Sequence, residues 1–254
     1  MPDKIDPPHA TGVALETVKQ HSAEHELVFH AGWFCPFVQR AWIALEEKKL
    51  AYQYKEVNPY AKEPHFLKVN PKGLVPAIEY KGEALYESLV LLEFLDDAFP
   101  SSPLRPSDPI EAGRVRLAMQ QISNVVVPAF YKLLQAQSAE DQQSGREGFV
   151  KALKDVVAQW FSKEGTWARG AFGWTDIALA PWVARLPLLE EHRAFKVADV
   201  GERFERWVEA VKGRDSVVKT SSPAESYASV YKRYLDDEAE SEVAKATRKG
   251  EWLK

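Results

Sequence analysis

The chain has 254 residues, 45% of them hydrophobic, and a formal net charge of −4, which allows one large domain or two smaller ones with a buried core. Lys and Arg are scattered along it, and no apolar run is long enough to cross a bilayer, so the sequence predicts neither a nucleic-acid surface nor a membrane span. The chain has one cysteine, Cys35, which excludes an internal disulfide and a cysteine metal cluster; we expect no bound metal.

The amino-terminal 26 residues are polar and include three prolines and three histidines. They lack the basic start and the apolar centre of a secretory signal. We therefore interpret 1–26 as a flexible lead-in to the folded chain. We also expect the protein to be cytoplasmic.

The region 27–99 alternates short strands with helices, in the order βαβαββα. Pro36 begins the first helix, and Lys48 and Lys49 lie in its last turn, where cations complement the helix dipole. Ser88 is predicted to be the N-cap of the last helix. The predicted strands and helices are, in chain order, 27–30, 36–49, 52–57, 61–69, 76–80, 83–86 and 88–99.

The region 100–109 contains four prolines and is predicted to be a linker between two domains. After it, 110–254 shows only helical apolar spacing, and Pro128 is expected to kink the first long helix. The stretch 177–189 is apolar nearly all round, which indicates a central buried helix. The predicted fold class is an α/β amino-terminal domain followed by an all-α carboxy-terminal domain.

Cys35 lies between the first strand and the helix that Pro36 begins. This position is at or next to the helix N-cap, where free backbone N–H groups and the positive end of the helix dipole stabilise a thiolate. A lone cysteine is also a common small core residue. The strand–Cys–Pro–helix context favours the interpretation as a reactive thiol.

Two further positions are candidates for ligand binding. Pro76 enters a strand, where a cis Val75–Pro76 bond would turn backbone polar groups toward a peptide-like ligand. Ser88, at a helix start, is suited to bind a carboxylate, and Glu87 could hold an amine beside it. An ordinary helix cap explains the same two residues, and Lys62 is either a counter-charge for the ligand or a solvated lysine.

Together these residues resemble the glutathione transferase superfamily, whose amino-terminal domain has the thioredoxin-like fold. Phe34-Cys35-Pro36-Phe37 is similar to the omega class and its plant relative, the lambda class, which use cysteine where most transferases use tyrosine or serine. Gly173 departs from the family pattern, which has Ser or Thr at the N-cap before Asp176. The resemblance covers roughly 27–235 and rests on three further motifs: 70–76 (NPKGLVP), 86–88 (YES) and 173–178 (GWTDIA).

The resemblance implies glutathione as co-substrate and Cys35 as the catalytic residue. It implies that Val75, followed by a cis Pro76, offers its backbone to the cysteinyl part of glutathione, and that Glu87 and Ser88 hold the γ-glutamyl end. Lys62 would approach the glycyl carboxylate, and Phe37 would contact the tripeptide.

Because the chain has no second cysteine, the implied mechanism is monothiol. Cys35 would attack a glutathionylated substrate, and a second glutathione would release it. The implied reactions are deglutathionylation, dehydroascorbate reduction and reductive removal of glutathione from aryl ketone adducts. The implied partners are glutathione and small hydrophobic or glutathionylated substrates, and the protein is expected to be a homodimer.

Three other functions remain open at this stage. A ligandin-type protein would bind aromatic small molecules with weak catalysis. A glutathione-dependent aryl etherase would use the same site on ether substrates. An intracellular chloride-channel-like protein has a similar Cys-Pro-Phe start, but no segment here is suited to span a bilayer.

Overall fold

The computed structural model describes residues 5–61 and 63–251. A π-helical turn at Ile122–Val126 and a 3₁₀ turn at Val197–Asp199 accompany the regular elements. In chain order these elements are α1 Gly12–Gln20, β1 Leu27–Ala31, α2 Pro36–Glu47, β2 Gln53–Glu56, α3 Pro64–Val69, β3 Ala77–Tyr80, β4 Glu83–Tyr86, α4 Ser88–Ala98, α5 Pro109–Gln121, α6 Val127–Gln135, α7 Ala139–Trp160, α8 Trp174–Val183, α9 Leu186–His192, α10 Glu202–Lys212, α11 Asp215–Lys219, α12 Ala224–Leu235 and α13 Glu242–Arg248.

The chain divides into two compact units. The amino-terminal unit contains the described residues up to Arg105 together with Gly213–Tyr227, and the helical unit contains Pro106–Lys212 and the described residues from Ala228 on. The break after Arg105 falls inside the predicted linker 100–109. The sequence does not predict that Gly213–Tyr227 groups with the amino-terminal unit.

A four-stranded sheet in the order β2-β1-β3-β4 forms the middle of the amino-terminal unit. β1 is parallel to β2 and antiparallel to β3, which forms a hairpin with β4. Phe29 of β1 lies opposite Tyr54 of β2 on one side and Ile78 of β3 on the other. This is the thioredoxin-like arrangement implied by the resemblance, and the predicted fold class is confirmed.

Two helices of the amino-terminal unit begin at a proline. α2 starts at Pro36, as predicted, and α3 starts at Pro64, three residues later than the predicted start at 61. Pro64 fits this start because its missing N–H is not needed at the first helical position. α4 buries Leu91, Leu92 and Leu95, which contribute to the core of the unit.

The predicted flexible lead-in differs from the structure in its described part. Residues 12–20 form α1, with Ala14 and Thr17 buried. Thr11 contacts the segment Gly213–Tyr227 of the same unit. Its backbone N–H donates to Ser222 Oγ at 3.1 Å, and its Oγ1 lies 2.7 Å from Ser226 Oγ. The lead-in is therefore ordered by residues more than 200 positions away, a distance at which local sequence patterns carry no signal.

In the helical unit, every residue of α8 is buried, as expected for a central helix. The predicted single helix over 177–189 is wrong in its extent, because α8 ends at Val183 and α9 begins at Leu186, with Pro187 in its first turn. Gly173 is the N-cap of α8 and Asp176 its third residue; Asp176 Oδ2 accepts the Gly173 N–H at 3.1 Å. Asp176 Oδ1 accepts the Ala168 N–H at 2.8 Å and Trp207 Nε1–H at 2.7 Å. Burial nevertheless raises the pKa of Asp176 to about 6.

The predicted kink at Pro128 takes a specific form. The five residues Ile122–Val126 form a π-helical turn, and Pro128 lies in the first turn of the α-helix that follows. A proline cannot donate the backbone hydrogen bond that a continuous α-helix needs there, and a π-helical turn absorbs the change. Within residues 5–61 and 63–251, no helix combines the length and apolar character that crossing a bilayer requires.

Candidate active site

Cys35 lies where β1 passes into α2. Its backbone N–H donates to the Gly32 carbonyl at 3.0 Å, and its own carbonyl accepts the Gln39 N–H at 3.1 Å. Cys35 is thus the N-cap of α2, as the sequence predicts from Pro36, and its side chain is partly exposed. A sulfur atom at this position lies near the positive end of the helix dipole, which favours its thiolate form.

The Cys35 side chain faces the turn that precedes β3. Cys35 Sγ is 3.9 Å from the carbonyl oxygen of Val75. The Val75–Pro76 peptide bond is cis, as the resemblance implies, and both residues are buried. The structure therefore brings together Cys35, Val75 and Pro76, which come from two segments some forty residues apart.

Asn70 holds the turn that presents Val75. Its buried side chain donates from Nδ2 to the Leu74 carbonyl at 2.6 Å and accepts the Lys72 N–H on Oδ1 at 3.0 Å. Gly73 has a φ of +66°, a left-handed conformation that glycine adopts without steric cost. The sequence shows 70–76 as a motif of the resemblance but does not reveal the bracing role of Asn70, for which the Asn-Pro start is the available signal.

Glu87 and Ser88 lie at the start of α4, but their roles in the helix differ from the prediction. Glu87, not Ser88, is the N-cap, and Ser88 is the first helical residue. Glu87 has a φ of +77°, and its carbonyl accepts the Leu91 N–H at 2.9 Å. Ser88 is buried, whereas the Glu87 side chain is 56% exposed. The prediction of Ser88 as the N-cap was wrong. Glu87 can precede the helix in this way only with a positive φ, which the sequence around a glutamate does not predict.

Arg40 is a site residue that the sequence analysis missed. It lies on α2, is 1% exposed, and donates from Nη1 to Ser88 Oγ at 3.3 Å. Its guanidinium carbon lies 5.5 Å from the ring centroid of Phe37, one helical turn earlier. A buried cation thus connects two of the predicted glutathione-binding residues. The sequence could have indicated this contact, because Arg40 lies three residues after Phe37 and a helix places such residues on one face.

Lys72 is a second missed residue. Lys72 Nζ lies 2.8 Å from Glu87 Oε1, and the two side chains are 46% and 56% exposed. Lys72 Nζ also lies 5.9 Å from the ring centroid of Tyr86. The hydrogen bond that Lys72 donates to Glu87 raises the pKa of the lysine. The ion pair joins the Asn70 turn to the start of α4.

The loop before Cys35 is anchored by aromatic residues. The Trp33 indole donates from Nε1 to the Pro7 carbonyl at 3.2 Å, and Phe34 stacks on Tyr60 with ring centroids 6.0 Å apart. Trp33 and Phe34 are both buried. This packing holds the residues that precede the thiol.

The remaining predicted site residues divide into two cases. Phe37 is half-buried on α2, two residues after Cys35. Lys62 lies outside the described residues. Across residues 5–61 and 63–251, no group of three His, Cys, Asp or Glu side chains is arranged to hold a metal ion.

The sheet order, the cysteine at the start of α2 and the cis-proline turn beside it define a protein of the thioredoxin-like class. Residues 34–98 match the family model described as glutathione S-transferase, N-terminal domain. The pyrimidodiazepine synthase of Drosophila melanogaster is 32% identical over 192 residues, which cover 73% of this chain and 76% of that protein. The chain belongs to the glutathione transferase family.

Solved structures support the omega-class resemblance. Glutathione transferase Omega 3C from Trametes versicolor is 50% identical and superposes with a TM-score of 0.85, covering 92% of this chain and 100% of that one. Omega 2S from the same organism, in complex with 2,4-dihydroxybenzophenone, is 28% identical with a TM-score of 0.61, covering 76% of this chain and 92% of that one. The omega-class resemblance of the sequence is thereby confirmed.

Proposed function

We propose that this transferase works as a glutathione-dependent thiol transferase and reductase through Cys35. The observation that carries the proposal is the position of Cys35 as the N-cap of α2. A tyrosine or serine donor would activate the sulfur of bound glutathione. A thiolate at this position instead attacks the glutathione sulfur of a disulfide, and the partner thiol of that disulfide leaves.

Glutathione would bind along the elements that converge on Cys35. The Val75 backbone would pair with its cysteinyl part, Ser88 and the α4 N-terminus would bind the γ-glutamyl carboxylate, and Glu87 would bind the γ-glutamyl ammonium. Phe37 would contact the tripeptide beside Cys35. Lys62 is proposed for the glycyl carboxylate on the resemblance alone.

The reaction would proceed in two thiol–disulfide exchanges. The Cys35 thiolate attacks the glutathione sulfur of a mixed disulfide, a Cys35–glutathione disulfide forms, and the substrate leaves as its thiolate. A second glutathione thiolate then attacks the glutathione sulfur of this disulfide, which releases oxidised glutathione and restores the Cys35 thiolate. The net reaction converts the mixed disulfide and one glutathione thiolate into the substrate thiolate and oxidised glutathione, so no second protein cysteine is needed.

The same thiolate suits a defined set of substrates. Glutathionylated thiols, dehydroascorbate and glutathione adducts of aryl ketones all accept reducing equivalents from thiols. Conjugation should be slow, because the Cys35 thiolate repels a glutathione thiolate bound beside it. We also propose a homodimer, as the family resemblance implies; sedimentation analysis would test this.

Intact-mass analysis after incubation with oxidised glutathione tests the mechanism. We expect one glutathionyl group per chain, removed by reduced glutathione and absent from Cys35→Ser. The native protein should react faster than the same chain unfolded in urea at the same pH, because only the folded chain places Cys35 at a helix N-terminus. Equal native and unfolded rates, or no adduct at all, would contradict the proposal.

A ligand-binding role is the second candidate, favoured by the dihydroxybenzophenone complex of the Trametes versicolor Omega 2S relative. Isothermal titration with 2,4-dihydroxybenzophenone would measure binding to this chain directly. Tight binding combined with a Cys35–glutathione disulfide that does not turn over would make ligand binding the main role. Steady-state reduction of cysteine–glutathione disulfide with ping-pong kinetics would make catalysis the main role.

A further inference from the structure

The ion pair between Lys72 and Glu87 lies at one end of the proposed glutathione site. Glu87 carries the carboxylate assigned above to the γ-glutamyl ammonium, and one of its two oxygens, Oε1, already contacts Lys72 Nζ at 2.8 Å. The Lys72 pKa is raised by this contact, which shows that the two charges stabilise each other. The Lys72 ammonium thus occupies part of the Glu87 carboxylate that is proposed to bind the γ-glutamyl ammonium of the ligand.

The backbone on both sides of the pair is held in place. Lys72 belongs to the turn in which Asn70 accepts the Lys72 N–H at 3.0 Å and donates to the Leu74 carbonyl. Glu87 is the N-cap of α4, and its carbonyl accepts the Leu91 N–H. The side chains of Lys72 and Glu87, by contrast, are about half exposed, so a ligand can reach both charges.

We propose that Lys72 is a specificity residue that neutralises Glu87 and so lets the site accept glutathione derivatives whose γ-glutamyl ammonium is absent or blocked. The ligand class is the N-acylated or deaminated γ-glutamyl thiol. This inference rests on the proposed binding of glutathione at Glu87 and Ser88, and it assigns Lys72 a role in choosing among ligands of that site.

Lys72 acts on two kinds of ligand in opposite directions. A ligand with an ammonium group shares Glu87 with Lys72, so removing the lysine strengthens its binding. A ligand that lacks the ammonium binds more weakly when Lys72 is removed. Its γ-glutamyl carboxylate would then lie near the negative charge of Glu87 with no cation to neutralise that charge. Exposed ion pairs shift each equilibrium by about two- to threefold, and the two opposite shifts multiply in the ratio. The ratio of the two affinities should therefore change by about three- to tenfold.

The test compares two peptides on matched variants. All proteins carry Cys35→Ser, so that no disulfide forms, and isothermal titration measures the Kd of glutathione and of glutaryl-cysteinyl-glycine, which lacks only the ammonium. We expect Lys72→Met to raise the ratio of the second Kd to the first by about three- to tenfold, and Lys72→Arg to leave it unchanged. The control is Lys81→Met, since Lys81 also lies over a tyrosine ring, Tyr80 at 4.9 Å, but precedes β4 and does not contact Glu87.

The outcomes separate this inference from the proposed function. An unchanged ratio in Lys72→Met, with glutathione still bound, overturns the role of Lys72 and leaves the thiol-transferase mechanism standing. Absence of binding by both peptides in every variant, together with no glutathionyl adduct on the protein that retains Cys35, overturns both. High salt should shrink the effect of Lys72→Met, because exposed charges are screened; an effect independent of salt would also contradict the inference.

Discussion

Lys48 and Asp96 form a buried ion pair within the amino-terminal unit. The ammonium and carboxylate atoms are 2.7 Å apart, and each side chain is 1% exposed. Lys48 Nζ also donates to the Ser102 carbonyl at 2.7 Å, and the Asp96 carboxylate accepts the N–H groups of Leu104 and Arg105 at 3.0–3.1 Å. The pair therefore joins the end of α2 and the last turn of α4 to residues 102–105.

Lys48→Met would remove the charge while keeping a long apolar chain in the same space. The Asp96 carboxylate would remain buried without its ammonium, and the Ser102 carbonyl would lose a donor. Removing one partner of a buried pair costs about 3–5 kcal/mol, because it leaves an uncompensated charge. We expect the free energy of unfolding to fall by that amount. In Lys48→Met/Asp96→Leu the uncompensated charge is absent, so the loss should be smaller than the sum of the single losses by about 2 kcal/mol.

Urea unfolding followed by circular dichroism and by tryptophan fluorescence would measure these changes. Coincidence of the two transitions tests whether a single free energy describes the unfolding. Lys151→Met is the control, since its ion pair with Asp155 is 75% and 49% exposed, and its midpoint should not move. A loss below about 1 kcal/mol in Lys48→Met, or strict additivity in the double variant, would refute the reasoning.

Two further predictions concern Asp176 and Asn70. The folded pKa of Asp176, about 6, lies above the ordinary 3.8, so between these pH values the folded protein binds more protons than the unfolded chain. Asp176 should therefore lower the free energy of unfolding by about 3 kcal/mol as pH rises through that window. Urea unfolding from pH 4 to pH 7 should show a decline that is smaller by about that amount in Asp176→Asn. Part of the decline remains in the variant, because burial raises the pKa of Glu56 to about 7 in both proteins. Asn70→Ala should cost about 1–3 kcal/mol of stability by leaving the Leu74 carbonyl unpaired, and should slow glutathionylation of Cys35 in intact-mass time courses; an unchanged rate would mean that the turn does not position Val75.

Features set by neighbouring residues could be predicted from the sequence. Pro36 directly after Cys35 places the thiol at a helix start, and the same argument explains why α2 begins there. The Lys81–Gly82 hairpin, the buried α8 and its Gly173 N-cap also follow from short-range patterns. These signals specify the thioredoxin-like order of elements and the position of the reactive cysteine.

Features set by distant partners could not be predicted. Lys48 was assigned to the helix dipole, yet its partner Asp96 lies 48 residues away, and nothing in the sequence selects that anion among many. In the sequence, Lys72 and Arg40 cannot be distinguished from solvent-exposed cations. Their partners are apparent only in the structure, where Lys72 contacts Glu87 and Arg40 contacts Ser88. The partner of a charged side chain depends on which distant residues the fold brings near it, whereas helix starts and turns depend on neighbouring residues.

The start of α4 departs from a stable arrangement in two independent ways. Glu87 adopts a φ of +77°, which costs a non-glycine residue about 1–3 kcal/mol, and Arg40 keeps a guanidinium at 1% exposure beneath Ser88, at a desolvation cost. Leu91, Leu92 and Leu95 are the buried apolar residues of α4. Two such departures at one helix start indicate a binding function. A buried cation that donates to Ser88 and an exposed carboxylate beside it fit the binding of the γ-glutamyl carboxylate and ammonium proposed above.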